Sequence, residues 1–98
     1  MTLNKNATHS DWTFFTNHAH VLILLEKNEL GTVREMALEV GITERSVIGI
    51  INDLEKAGFL EKNKVGRQNI YKLNLNRPLR HKIEEHITVK QLIKLIND

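Results

Sequence analysis

The stretch TVREMALEVGITERSVIGIINDLEKAGFLEKNKVGRQNIYKLNL, residues 32–75, decides the fold. Thr32 with Glu35 three residues on is a capping-box pattern, and it opens a helix over about Val33–Val40 whose Met36, Ala37 and Val40 share one face. Gly41-Ile42-Thr43 has the length of a turn that sets two helices at a steep angle, and Gly41 suits the left-handed backbone found just past a helix end. Thr43 caps a longer helix from Glu44 to about Ala57. In it Val47, Ile50, Ile51 and Leu54 fall at spacings of three, four and seven, the mark of one buried stripe. Glu44, Arg45, Ile48, Gly49 and Asn52 are left on the opposite face, with Ser46 near its edge, and Gly58 supplies the stop.

Beyond Gly58 the period shifts. Phe59–Val65 and Ile70–Leu75 flank Gly66-Arg67-Gln68-Asn69, which reads as a four-residue tip. Tyr71, Leu73 and Leu75 alternate with Ile70, Lys72 and Asn74, as in a half-buried strand, while Lys62, Lys64, Arg67 and Lys72 make the hairpin basic. A hairpin alone is marginal, so this one has to lean on the helices. Helix, glycine turn, helix and basic hairpin is the order of a helix-turn-helix with a wing, an arrangement that presents one helix to a DNA groove. The expected fold class is α+β: a three-helix core with a two-stranded wing and N- and C-terminal helical extensions.

Upstream, Trp12, Phe14 and Phe15 crowd the only tryptophan and two of the three phenylalanines together, ahead of a helix capped by Thr16 and running to about Lys27. Val21–Leu25 makes that helix apolar nearly all round, more than one buried face needs, so a partner is expected on its second side. Gly31 ends it. Downstream, Arg77-Pro78 breaks the second strand and residues 79–87 have no clean period. Thr88 with Gln91 repeats the capping box, and Val89, Leu92, Ile93 and Ile96 form a stripe on a helix too short to stand alone.

Ninety-eight residues fit one domain and leave no room for an active site between domains. With 41% apolar and 27% charged residues the chain falls among ordinary folded proteins, which excludes global disorder. It has no cysteine, hence neither disulfides nor thiolate metal sites. No signal peptide is evident, and Val21–Leu25 is the longest apolar run, so a cytoplasmic protein without a membrane segment is expected. Residues 1–40 carry three Lys/Arg against five Asp/Glu, residues 41–75 six against four, and residues 76–98 five against three. The basic surplus begins where the helix-turn-helix turns, a pointer to a polyanionic partner.

The run Gly41-Ile42-Thr43-Glu44-Arg45-Ser46-Val47, with Asp53-Leu54-Glu55-Lys56-Ala57-Gly58-Phe59-Leu60 after it, resembles bacterial winged-helix transcription regulators, in particular the MarR and ArsR superfamilies. Trp12, Thr16-Asn17-His18-Ala19 and Pro78-Leu79-Arg80-His81 resemble segments of small single-domain members, so the likeness covers most of residues 12–93 and is most specific over 41–60. Ile48 and Gly49 depart from it, standing where such regulators commonly carry polar or basic side chains. The start of the helix is therefore expected to read bases more than its middle. Without cysteine, the thiolate metal sensing of many ArsR proteins does not carry over.

The expected DNA-binding residues are Thr43, Glu44, Arg45, Ser46, Gly49 and Asn52 on the recognition helix and Lys62, Lys64, Arg67 and Gln68 on the wing. A helix N-terminus offers partial positive charge and free N–H groups to a phosphate. Arg45 matches a guanine edge, Asn52 an adenine edge, and the basic wing matches phosphates, with Arg67 at the tip able to enter a minor groove. The bland readings are a solvated helix face and a lysine-guarded strand edge. Glu44 would repel phosphate, yet it can accept from cytosine or orient Arg45.

His18 and His20, two apart, point about 200° apart on a helix, so they cannot share an ion, and no metal site is expected. Ser10 and Ser46, the only serines, have no evident base, so neither catalytic residues nor a cofactor is expected. Trp12, Phe14, Val21, Leu25, Leu92, Ile93 and Ile96 exceed what one small core requires. Regulators like those resembled commonly dimerise through terminal elements, and these seven are the expected dimer interface; the alternative is a monomer whose last helix closes over its first.

The organisation that follows is a flexible arm over 1–10 and a winged-helix DNA-binding domain over 11–98. Its parts are a helix-turn-helix over 32–57, a wing over 59–75 and a dimerisation segment over 79–98. The expected function is sequence-specific double-stranded DNA binding by a homodimeric transcriptional regulator, a repressor before an activator, and no motif names an effector. The competing class is a winged-helix protein-interaction module in a larger assembly.

Overall fold

The computed structural model describes residues 12–27 and 32–98. The expected arm over 1–10 and the stop at Gly31 lie outside these residues. The element order is α1 (Asn17–Lys27), α2 (Val33–Val40), α3 (Glu44–Lys56), β1 (Leu60–Val65), β2 (Gln68–Leu73) and α4 (Val89–Asn97). This is the α+β architecture expected, with α2 and α3 as the helix-turn-helix and β1 and β2 as its antiparallel wing.

Local chemistry sets each boundary. Thr16 starts α1, its Oγ1 accepting from Ala19 N at 3.2 Å. Thr32 and Glu35 make both halves of a capping box at α2, and Thr88 and Gln91 do the same at α4. Gly41 takes φ +86° at the end of α2, where its N–H and that of Ile42 both return to the Ala37 carbonyl. α3 ends one residue earlier than expected, with Ala57 as the cap.

The core is built from all four helices. Val21 of α1, Val47 of α3 and Val89 of α4 are fully buried and mark its centre. Around them lie Leu22, Ile23 and Leu25 of α1, Met36 and Ala37 of α2, and Ile50, Ile51 and Leu54 of α3, with Phe59 and Leu60 bringing in the start of the wing. Tyr71 and Leu73 of β2, with Leu75 just beyond its end, pack on this cluster as a half-buried face.

α4 is part of that core more than an extension of it. Its Val89, Leu92 and Ile93 are buried, and it packs on α1. The first free N–H groups of α4 are satisfied by the chain leaving the wing: Val89 N donates to Arg77 O and Lys90 N to Leu75 O, both at 2.9 Å. Pro78 bridges Thr88 across the same seam, so residues 79–87 form an excursion whose two ends are clamped together. Within it His81 has a local task, its Nδ1 accepting from Ile83 N at 3.0 Å.

The wing tip is shorter than the sequence suggested. Val65 pairs with Gln68, which leaves a two-residue loop, Gly66-Arg67, and puts Gln68 and Asn69 inside β2. Gly66 has φ +64° and is the only loop residue with positive φ, the sign pattern of a type II′ turn with glycine first. That turn matches the twist of paired strands, so the ladder continues two residues further than turn-forming residue types alone implied.

Candidate nucleic-acid interface

The N-terminus of α3 is held by Thr43. Its Oγ1 accepts from Ser46 N at 3.0 Å and lies 2.9 Å from Ser46 Oγ, so the two hydroxyls are engaged with each other. Capping accounts for Ser46 N and leaves the N–H groups of Glu44 and Arg45 at an exposed helix start. Glu44, in the first turn, favours the helix through its dipole and subtracts from the positive potential there.

Arg45, Ile48, Gly49 and Asn52 are all exposed, as expected. At 100° per residue they occupy an arc of about 100°, opposite the buried stripe Val47, Ile50, Ile51 and Leu54. The outward face thus holds a guanidinium, an aliphatic side chain, a bare stretch of backbone and a carboxamide in close succession. Nothing lies within 4 Å of where a Cβ on Gly49 would stand, so no neighbour requires a glycine there.

Register divides the wing residues between two faces. Lys62 pairs with Tyr71 and Lys64 with Asn69, on the side that carries Leu60 and Leu73. Gln68 lies on the other side with Val65 and Ile70. The Lys62 ammonium lies 3.9 Å from Glu55 of α3, a partly exposed ion pair that turns its charge toward the helix. Lys64 and Arg67 are exposed further out, and six paired residues carry the tip roughly 17–20 Å beyond the wing base. The wing base is braced where the Arg77 guanidinium covers the Phe59 ring, 5.6 Å from its centroid.

One contact ties the helix-turn-helix to the helix that precedes it. His18 Nε2 and Asp53 Oδ2 are 2.8 Å apart, joining α1 to α3 across 35 positions of sequence. Asn17 and His18 then form one wall of an open groove whose other wall is Ser46, Gly49, Ile50 and Asp53. No sequence signal announces this pair, because a histidine on one helix and an aspartate on another share no period. His20 turns instead to Asn17 Oδ1 at 3.1 Å, so the two histidines serve different partners. Among the described residues no three His, Cys, Asp or Glu side chains gather closely enough to hold a metal ion.

Four of the seven residues expected at a dimer interface are placed elsewhere by the structure. Val21, Leu25, Leu92 and Ile93 are buried within a single chain, where α4 and the helix-turn-helix cover α1. The all-round apolar character of α1 is answered by its own chain, because three helices pack around it. The last helix does close over the first. Trp12 and Phe14 are 75% and 89% exposed and meet edge to face at 5.1 Å, and Ile96 is 45% exposed. Leu95, which the stripe reading left out, is 74% exposed beside it.

Among the described residues no helix is long and apolar enough to cross a membrane. Comparison with protein-family models finds no match, and comparison with curated proteins finds none. Among solved structures, the chain is similar to the zinc-dependent MarR family transcriptional regulator AdcR in its Zn(II)-bound state. The identity is 29% and the TM-score 0.50, over 66% of this chain and 47% of that one. The chain thus spans about half the length of the regulator it matches. The likeness bears out the winged-helix fold and the resemblance to MarR-family regulators, and that neighbour is a transcriptional regulator.

Proposed function

We propose that this chain binds double-stranded DNA sequence-specifically, as a homodimeric transcriptional regulator acting in the cytoplasm, and as a repressor before an activator. The observation that carries this reading is the outward face of α3, where Arg45 and Asn52 stand exposed on a helix flanked by a wing with Arg67 at its tip. Arg45 pairs with a guanine edge and Asn52 with an adenine edge, while Lys64 and Arg67 neutralise phosphates. Lys62, turned toward Glu55, contributes less. In a two-fold dimer the recognition helices meet half-sites about one helical turn, roughly 34–36 Å, apart. The similarity to a MarR-family transcriptional regulator supports the same reading.

The test is selection of bound duplexes from a random pool at moderate salt, followed by titration of variants. Arg45→Ala is expected to relax sequence preference. Lys64→Ala is expected to weaken all duplexes alike and to lower the salt slope by about one. Equal, small effects from both would remove α3 from the groove.

A second reading, a protein-interaction module, is favoured by one observation: Ile48 presents an aliphatic side chain in the middle of the outward face. Loss of a protein contact in Ile48→Asp with DNA affinity intact would support that module instead.

A further inference from the structure

Two residues on the outward face of α3 lack a structural reason. Ile48 is 49% exposed and belongs neither to the core nor to the hydrophobic residues packed against it. Gly49, in mid-helix, weakens the helix relative to alanine, although the space around it would accept a Cβ without contact. Both features are unfavourable for a free helix in water. They sit side by side, between Arg45 and Asn52, which the same face places about 10 Å apart along the axis, close to three base-pair steps.

We propose that Ile48 reads the 5-methyl group of a thymine in the major groove, and that Gly49 lets the α3 backbone approach closely enough for it to do so. This rests on the DNA-binding reading above and names the base chemistry at its centre. On the major-groove edges of the four bases the thymine methyl is the one apolar group, and an aliphatic side chain is its natural partner. A side chain at position 49 would act as a spacer between helix and groove floor. Arg45 and Asn52 then bracket the thymine with hydrogen-bonding contacts, and Ile48 supplies discrimination that polar side chains do not give. The middle of the helix thus becomes a reader in its own right, where the sequence pattern alone pointed to its start.

The experiment uses the full chain and the tightest duplex recovered from the random pool. Each thymine in turn is replaced by deoxyuridine, which removes the methyl group and keeps every hydrogen-bonding group and charge. One such replacement is expected to weaken wild-type binding about fourfold, the worth of one buried methyl group. The same replacement should leave Ile48→Ala, already weaker on the parent duplex, unchanged. Gly49→Leu should weaken binding to every duplex while its thermal melt shows a folded protein. If the duplex binds and no deoxyuridine replacement separates wild type from Ile48→Ala, the thymine contact is wrong and the DNA-binding reading stands. If no duplex binds above background at low salt, both fall together.

Discussion

His18 Nε2 lies 2.8 Å from Asp53 Oδ2, so the first turn of α1 is tied to the last turn of α3. Both side chains are substantially exposed, and contacts of this kind contribute at most about 1 kcal/mol. The pair therefore does little to hold the domain folded. Its place matters more, because it fixes one end of α3 against a helix rooted in the core. His18→Ala and Asp53→Ala are each expected to lower Tm by no more than about 8 °C. On the proposed function, each also weakens DNA binding, and the double variant binds no worse than either single one. Additive losses in binding would show that the two side chains act independently.

The burial of α4 gives a sharper stability contrast. Ile93 faces the core and Leu95, two positions on, faces outward. Removing the Ile93 side chain leaves a cavity between α4 and the core, and Ile93→Ala is expected to cost about 2–5 kcal/mol. Leu95→Ala, measured on the monomer, should stay within about 0.5 kcal/mol of wild type. Urea unfolding monitored by circular dichroism separates the two. A small effect at Ile93 would return α4 to the status of an appended extension.

Two glycines predict opposite signs. Gly49 has ordinary helical backbone and open space around it, so Gly49→Ala should stabilise the free protein by about 0.5–1 kcal/mol. Gly66 holds φ +64° at the wing tip, where an L side chain is strained, and Gly66→Ala should destabilise by about 1 kcal/mol. Thermal melts of the two variants check the pair. A destabilised Gly49→Ala would mean that the glycine serves the fold, and its functional interpretation would lose its footing.

What was legible in the sequence was what depends on neighbours along the chain. The capping boxes at Thr32 and Thr88, the cap at Thr43 and the glycine at position 41 all formed as expected, because each is closed by atoms within a few residues. The buried stripe of α3 followed from helical period, and the exposure of Arg45, Ile48, Gly49 and Asn52 followed from the stripe. The wing tip is shorter than residue type implies, because Gly66 and Asn69 favour turns by type, whereas strand pairing decides where Gln68 and Asn69 lie. The His18–Asp53 contact depends on how two helices cross, which no local pattern records. The same limit explains Val21, Leu25, Leu92 and Ile93. An apolar helix face announces that something covers it, and only the packed structure shows that the cover is the chain itself.

With Leu92 and Ile93 buried in one chain, the proposed homodimer has Leu95 and Ile96 exposed on α4, and Trp12 and Phe14 exposed ahead of α1. A charge placed among such residues opposes association of two copies without entering the core of either. Leu95→Asp with Ile96→Asp should therefore shift the protein from dimer to monomer in sedimentation experiments at micromolar concentration, while the monomer keeps its helical circular dichroism. On DNA, the monomeric variant should occupy a single half-site and lose its preference for two half-sites about one turn apart. Ile93→Asp is the contrasting case, since it buries an unpaired charge and should unfold the chain. If the Leu95/Ile96 variant remained dimeric, the association surface would have to exclude the outward face of α4, and Trp12 and Phe14 would be the next residues to change.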